Sequence, residues 1–315
     1  MSKYPEIDIS RVKLYPIAER QSRVQLEFLG KPVKPDASFE TWWDSLPKIL
    51  VAEDLKSVAA AIVAARRSKK PVILMIGAHV IKVGLSPVLI DLMKEGIITC
   101  LAMNGAGIIH DVELSLFGMT SEDVATNIAD GTFGMAKETG EFINQTVKKG
   151  VKSKLGLGEA VGKELLDRKA QNLQISLLGQ AYQLDIPVTV HVAIGTDIIH
   201  QQPSADGAAI GELTLRDFRI FSRQVADLGD GGVVLNVGSA VVLPEVFLKA
   251  LTVARNLGYP CKGFSTANFD MIQHYRPRVN VVQRPTLGGG KGYQITGHHE
   301  IMIPLLAAGI KLGMK

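Results

Sequence analysis

The sequence predicts an α/β protein built on a doubly wound, mostly parallel sheet. Three observations predict it. Short apolar runs end in glycine, Asn, Thr or Asp; stretches of helical period follow them; and this alternation recurs along most of the chain. Hydrophobic residues make up 46% of the 315, enough for a sizeable core.

The first 50 or so residues are polar and Pro-containing, with Trp42 and Trp43 near their end. They read as an N-terminal arm that packs on its own body or on a neighbour's. Residues 51–315 then read as one α/β nucleotide-binding domain. Leu55, Val58, Ala59, Ile62 and Val63 recur at helical spacing within Glu53–Arg67. Pro71-Val-Ile-Leu-Met-Ile-Gly77 is a strand ending in glycine, and its unbroken apolar character predicts cover on both faces. Leu85–Glu95 follows as helix, then Ile97–Met103 as a strand ending at Asn104-Gly-Ala-Gly107. Leu165–Leu184 reads as helix and Ile186–Ile194 as a strand ending at Gly195-Thr-Asp197. Leu213–Leu228 is helix, and Gly232–Val237 a strand ending at Gly238-Ser239. Pro244–Leu257 is helix, and Cys261–Phe264 a strand ending at Ser265-Thr-Ala-Asn268. His299–Leu312 is the last helix. Residues from about 120 to 162 break the rhythm and read as a helical insertion near the site.

Charge narrows the partners. The 35 Lys and Arg against 31 Asp and Glu leave a net +4. Its short clusters, Arg66–Lys70 and Lys148-Lys149, read as solvated helix ends, so no nucleic-acid partner is expected. Cys100 and Cys261 are the only cysteines, lie far apart and have apolar neighbours, which points to a reducing compartment. The start, Met1-Ser2-Lys3-Tyr4-Pro5, carries no apolar signal-peptide core, and no apolar run approaches the roughly 20 residues of a membrane span. A cytoplasmic location and no membrane partner are expected.

In an open parallel sheet, ligands bind outside the carboxyl ends of the strands. Asn104-Gly105-Ala106-Gly107 lets backbone approach a ligand and can present amides to phosphate, or it is simply a tight turn. Gly238-Ser239-Ala240 repeats the pattern before another helix. Neither is a full G-x-G-x-x-G fingerprint. His79, His110, His191 and His200 sit at or beyond strand ends, and His298-His299 precedes the last helix. Singly each reads as structural; together they suggest proton transfer, while their spacing matches no zinc signature, and no metal is assigned. Asp111, Asp197 and Asp206 supply carboxylates at the same edge, with helix capping as the competing role for Asp111 and Asp206. Gly288-Gly-Gly-Lys291-Gly292 is either a hairpin or a loop that holds an amine over a ligand.

Several segments, in order, resemble deoxyhypusine synthase. Asn104-Gly-Ala-Gly-Ile-Ile-His-Asp111 is similar to that family's Thr-Ala-Gly-Gly-Val-Glu-Glu-Asp nucleotide loop. Ser176-Leu-Leu-Gly-Gln-Ala-Tyr-Gln-Leu-Asp-Ile-Pro-Val188 resembles its helix-to-strand segment, and Thr196-Asp197 its Thr-Asp-Gly loop. Gly238-Ser-Ala-Val-Val242 resembles its Gly-Gly-Gly-Val-Val turn, and Ser265-Thr-Ala-Asn-Phe-Asp270 its Asn-Thr-Ala-Gln-Glu-Phe-Asp. Arg276-Pro277 and Ile303-Pro-Leu-Leu306 match two further landmarks.

The resemblance implies a Rossmann-like NAD-binding sheet, a homotetramer with sites at subunit interfaces, and hydride transfer coupled to imine formation on a lysine. The cofactor would lie along Gly77, Asn104, Gly105, Ala106, Gly107, Asp111, Gly238, Ser239, Ala240, Thr266 and Ala267. Lys291 would be the nucleophile, Asp197 would orient cofactor or substrate, and His110 or His200 would move protons. The chain departs from the family where the polyamine binds. Leu243-Pro244-Glu245 replaces paired histidines, and Met271-Ile-Gln-His-Tyr275 and Arg278-Val279 carry no carboxylate. Arg276, Arg278, Arg284 and Lys291 are bases instead, which predicts a small-molecule substrate that is anionic or otherwise not a polyamine. A lyase or isomerase working through the strand-end histidines, with or without a metal, and a non-catalytic ligand-binding protein are the alternatives.

Overall fold

The structure is a computed structural model and describes residues 2–315. Its chain divides into two units, the first ending at Ile49 and the second Leu50–Lys315. The first unit is mostly extended, with single 3-10 turns at Ile17–Glu19 and Leu26–Phe28 and one helix, α1 (Phe39–Ser45). The Ser38 hydroxyl accepts from the Thr41 amide at 3.1 Å and starts α1, and Phe39 packs against Trp42 and Trp43. Tyr4, Ile7, Ile9, Leu14 and Leu26 are exposed.

The second unit runs α2 (Leu50–Arg67), β1 (Val72–Ile76), α3 (His79–Lys82), α4 (Ser86–Lys94), β2 (Cys100–Asn104) and α5 (Gly105–Phe117). Next come α6 (Val124–Asp130), α7 (Lys137–Ser153), α8 (Leu157–Asp167), α9 (Leu177–Gln183), β3 (Val188–His191) and α10 (Gly207–Ala226). The chain closes with β4 (Val233–Val237), α11 (Val242–Asn256), β5 (Ser265–Asp270), α12 (Tyr275–Pro277), β6 (Lys291–Thr296) and α13 (His299–Met314). All six strands are parallel, in the order β3-β2-β1-β4-β5-β6. The connection reverses between β1 and β4, which places the topological switch point at the carboxyl ends of those two strands.

Alternation along the strands sets the two layers. Ile73 and Met75 of β1 join Cys100, Ala102 and Val234 against Phe221, Val225, Phe247, Ala250 and Leu251 of α10 and α11. Val72, Leu74 and Leu235 turn the other way, toward Ile62 of α2, Leu89 of α4 and Ile303 and Ile310 of α13, around a small apolar cavity of about 20 Å³. Every residue of β1 and β4 is buried, as their apolar runs predict. At one edge of the sheet, β3 is sealed by side chains rather than another strand. Val190 N–H donates to Asp217 at 2.7 Å and Val192 N–H to the Thr214 hydroxyl at 3.0 Å.

Three elements differ from expectation. The helix expected over Leu165–Leu184 is broken into α8 and α9, because Lys169 turns left-handed (φ 52°) and α9 starts afresh on its own cap. The strand expected at Cys261–Phe264 begins later: Gly263 takes a positive φ of 68°, and the sheet register starts at Val233 opposite Ser265. The glycine loop at Gly288–Gly292 leads into a sixth strand rather than a hairpin, with Lys291 opposite Ser265 at the amino end of β5. The stretch from about 120 to 162 is helical, supplying α6, α7 and the start of α8. Among the described residues, no helix is long and apolar enough to cross a membrane.

Candidate functional site

Four connections meet at the carboxyl edge of β1 to β4. At the switch point Gly77 follows β1 and Gly238 follows β4, and the two loops touch: a Cβ on Gly77 would overlap the Gly238 carbonyl. Gly238 also needs its left-handed φ of 69°. The turn is pinned from below by an amide chain. Asn236 Nδ2 donates to the Ser239 carbonyl (2.9 Å) and to Asn268 Oδ1 (2.7 Å), and Asn268 Nδ2 donates to Gln273 Oε1 (2.7 Å). The Ser239 hydroxyl accepts from the Leu243 amide at 3.2 Å and so is occupied at the start of α11. The buried His299 ring lies against Gly238 and bonds through Nε2 to the Phe269 carbonyl at 3.2 Å, with His79 at 5.9 Å between ring centroids.

One strand over, β2 runs directly into α5. Asn104 Oδ1 accepts from the Gly107 amide at 3.1 Å, while the first-turn amides of Gly105 and Ala106 have no acceptor within the helix. The Asp197 carboxylate lies on this helix end, so close that a Cβ on Gly105 would overlap it. A negative charge is favoured there by the exposed amides and the helix dipole. Yet Asp197 is buried, and its Oδ2 has no hydrogen-bond partner. Burial pushes its pKa up to about 6, with the Thr196 hydroxyl pulling the other way.

His200 stands behind Asp197. Its Nδ1 accepts from the Gly195 amide (3.1 Å) and the Asp197 amide (3.3 Å). Two donors on Nδ1 place the proton of the neutral ring on Nε2. That Nε2 is buried without a partner, 3.9 Å from Asp197 Oδ2. Burial also lowers the pKa of His200, which favours the neutral ring.

Ala106, Asp197 and Ile198 form one wall of a pocket of about 310 Å³, closed by His110, Glu113, Lys82 and the insertion residues Glu122, Val124 and Phe133. His110 is half-buried, and its Nδ1 lies 2.7 Å from the Thr120 hydroxyl. Thr120 donates in turn to Glu113 Oε2 (2.5 Å), whose Oε1 accepts from Thr139 (2.9 Å). A second hollow of about 500 Å³ lies on the far side of Glu113, between Phe117, Met119, Glu138 and Thr139.

The structure thus gathers Gly77, Asn104 to Gly107, Asp197, His200, His110 and Gly238 to Ala240 along one edge. Other expected site residues lie elsewhere. Lys291 is exposed at the amino end of β6, a strand's length from the carboxyl edge, because the register pairs it with Ser265. Thr266 and Ala267 are buried inside β5, opposite Val234 and Leu235, since that strand starts later than its sequence suggests. Asp111 faces away from the pocket. Its oxygens accept from the Ser176 hydroxyl (2.6 Å) and the amides of Leu177 (2.7 Å) and Leu178 (3.2 Å), so it caps α9. Asp206 caps α10 through the Ala209 amide. His191 is a core residue against Phe221, and burial drives its pKa down to about 3.

The four expected bases do not converge either. Arg276 pairs with Glu245 at 3.2 Å, Arg284 bonds Asn280, and Arg278 and Lys291 are exposed. Among the described residues, no group of three or more His, Cys, Asp or Glu is arranged to hold a metal ion. Glu113, Thr120, Thr139 and Glu122 escaped sequence reasoning. Only the Glu113–His110 spacing on one face of α5 could have pointed to them.

The fold is shared with solved structures of low identity. ArgZ, an arginine dihydrolase from the ornithine–ammonia cycle in cyanobacteria, matches 84% of this chain over 33% of its own, at a TM-score of 0.52 and 15% identity. AgrE in its ternary complex with ornithine and NAD+ matches 82% over 33% of its own, at 0.53 and 13%. The chain therefore spans about a third of the length of those two proteins. A candidate deoxyhypusine synthase from Entamoeba histolytica matches 89% of this chain and 95% of its own, at a TM-score of 0.51 and 10% identity. No protein-family model and no curated protein matches the sequence. The likeness is one of fold: a six-stranded, all-parallel, Rossmann-like α/β sheet flanked by helices.

Proposed function

We propose that this protein is a deoxyhypusine synthase-like, NAD-binding enzyme, cytoplasmic and homotetrameric, that carries out hydride transfer on a small molecule held under the helical insertion. One observation carries the reading. The buried Asp197 Oδ2, without a partner, sits beside the open amides at the start of α5, where a dinucleotide can offer hydroxyls to the carboxylate and phosphate to the amides. The residues present fit such a ligand: the first-turn amides of Gly105 and Ala106 are left without an acceptor in the helix, and the amide chain below Ser239 fixes its turn. The resemblance of the Asn104–Asp111 loop to a nucleotide loop supports the same reading, as does the AgrE neighbour in complex with NAD+.

A bound nicotinamide would supply hydride transfer; the chain's own residues bind, orient and move protons. Asp197 accepts hydrogen bonds from the ligand, with the neutral His200 ring behind it, its Nε2 3.9 Å from Asp197 Oδ2. His110 faces the pocket as the group that exchanges a proton with the substrate. Glu113, Glu122 and Asp197 outnumber Lys82 around this pocket, so it suits a substrate that brings hydrogen-bond donors rather than an anion. Imine formation on Lys291 forms no part of the reading, because that lysine lies at the opposite edge of the sheet.

Isothermal calorimetry with NAD+ and NADH at millimolar concentration tests the proposal. Binding that is weakened at least tenfold by Asp197→Asn is expected. Absence of binding by the wild-type protein overturns it.

A further inference from the structure

The hydrogen-bond chain on α5 decides which nitrogen of His110 carries the proton. The Thr120 hydroxyl donates its one proton to Glu113 Oε2 at 2.5 Å. Thr120 Oγ1 has then no proton left for His110, 2.7 Å away on its other side, and can only accept from it. His110 Nδ1 must therefore be the N–H, and Nε2 carries the lone pair. Thr139, donating to Glu113 Oε1 at 2.9 Å from α7, fixes the carboxylate in this orientation. The arrangement is a carboxylate, a hydroxyl and an imidazole in series, with the ring on the wall of the 310 Å³ pocket.

We infer that Glu113 and Thr120 are positioning residues that hold His110 as the Nδ1–H tautomer, so that His110 Nε2 is the proton acceptor for a substrate hydroxyl or ammonium in this pocket. The proton of the substrate O–H or N–H bond moves to Nε2 and the electron pair stays on the substrate atom. The imidazolium so formed keeps its Nδ1–H on Thr120, and Glu113 behind it offsets the new charge. His200 has the opposite tautomer, with Nδ1 filled by backbone amides and Nε2 protonated. One edge of the sheet thus presents one histidine whose Nε2 takes a proton and another whose Nε2 already carries one.

The charged groups that share the pocket with His110 are Lys82 from α3, Glu113 on its own helix, Glu122 from the segment before α6, and Asp197 from the connection after β3. Burial, first, keeps the ring's pKa below its usual value; Glu113 raises it and Lys82 lowers it. The lowered pKa favours the neutral ring, which is able to accept.

The inference rests on the proposed function for its substrate but not on the dinucleotide, so the two can fail separately. The full chain, labelled with ¹³C and ¹⁵N at its seven histidines, is titrated by NMR without cofactor, and His110 is assigned from the signal missing in His110→Gln. The expected result is an Nδ1–H tautomer for His110. Thr120→Val should reduce that preference about fivefold, the effect of one hydrogen bond, and lower the titration midpoint, while Thr120→Ser retains both. An Nε2–H tautomer in the wild type, or a Thr120→Val spectrum identical to it, overturns the inference. If His110→Gln does not fold, Thr120→Val supplies the assignment, since only the ring next to residue 120 should move. NAD binding measured on the same samples reports on the dinucleotide alone.

Discussion

Asp111 and Asp197 both serve the two ends of the same small region, yet they do different things. Asp111 projects from α5 onto the start of α9; Asp197 reaches from the connection after β3 onto the start of α5. Both are buried, both sit at a helix N-terminus, and burial pushes both pKa values up to about 6. The difference lies in their bonds. Both oxygens of Asp111 are filled by a hydroxyl and two amides, whereas Asp197 Oδ2 has no partner and lines a pocket. A displaced acidity alone therefore does not distinguish the two carboxylates; the unfilled oxygen beside a pocket does. Asp217 is intermediate. Its Oδ2 takes the Gly158 and Val190 amides at 3.0 and 2.7 Å, while its Oδ1 is buried without a partner and faces no cavity described above.

Isosteric amide variants separate the three. Asp111→Asn should be the most damaging, at about 4 kcal/mol, because either orientation of the amide sets an NH2 against donors that now have no acceptor. Loss of that size in urea unfolding is expected, and a change below about 1 kcal/mol would remove the distinction. Asp197→Asn should do the reverse and stabilise. The sign follows from the raised pKa: stability from a neutral Asp197 is fully present below pH 3.8 and is lost as pH rises through about 6. The variant lacks that loss, so its advantage over wild type should be absent near pH 4 and reach about 2 kcal/mol by pH 7.5, allowing for water in the pocket. Thermal unfolding across that range measures it, and parallel curves would break the comparison. Asp217→Asn should have the smallest effect, a loss of about 1 kcal/mol at pH 6, since its carbonyl can keep both amide bonds and only an already unpaired oxygen is replaced.

How much of this the sequence discloses varies with the kind of interaction. β1 and β4 are legible because covered parallel strands are unbroken apolar runs, and every residue of both is buried. β5 is hard to place because its buried residues include Thr266 and Asn268, and Asn268 is satisfied by Asn236 on the next strand, a partner no local pattern reveals. β6 is not legible, because a mostly exposed strand of Lys, Gly, Tyr and Gln has no apolar signature. The start of α9 is held by Asp111, 65 residues before the Ser176 hydroxyl it accepts from, a partner equally hidden from local pattern. In the site, Asp197 and the α5 loop are legible as residues just past strand ends. Glu113 and Thr120 are not, since their roles arise only when the insertion folds back over α5.

Gly105 and Asp197 occupy space that only one of them can extend into. Any chain descended from this one that gains a side chain at 105 must first shorten residue 197 or move its loop, and a chain that loses the carboxylate is released from the need for glycine. The two positions are thus sterically coupled. In an alignment of relatives, glycine at 105 should accompany aspartate at 197, and the first departures should come at both positions together.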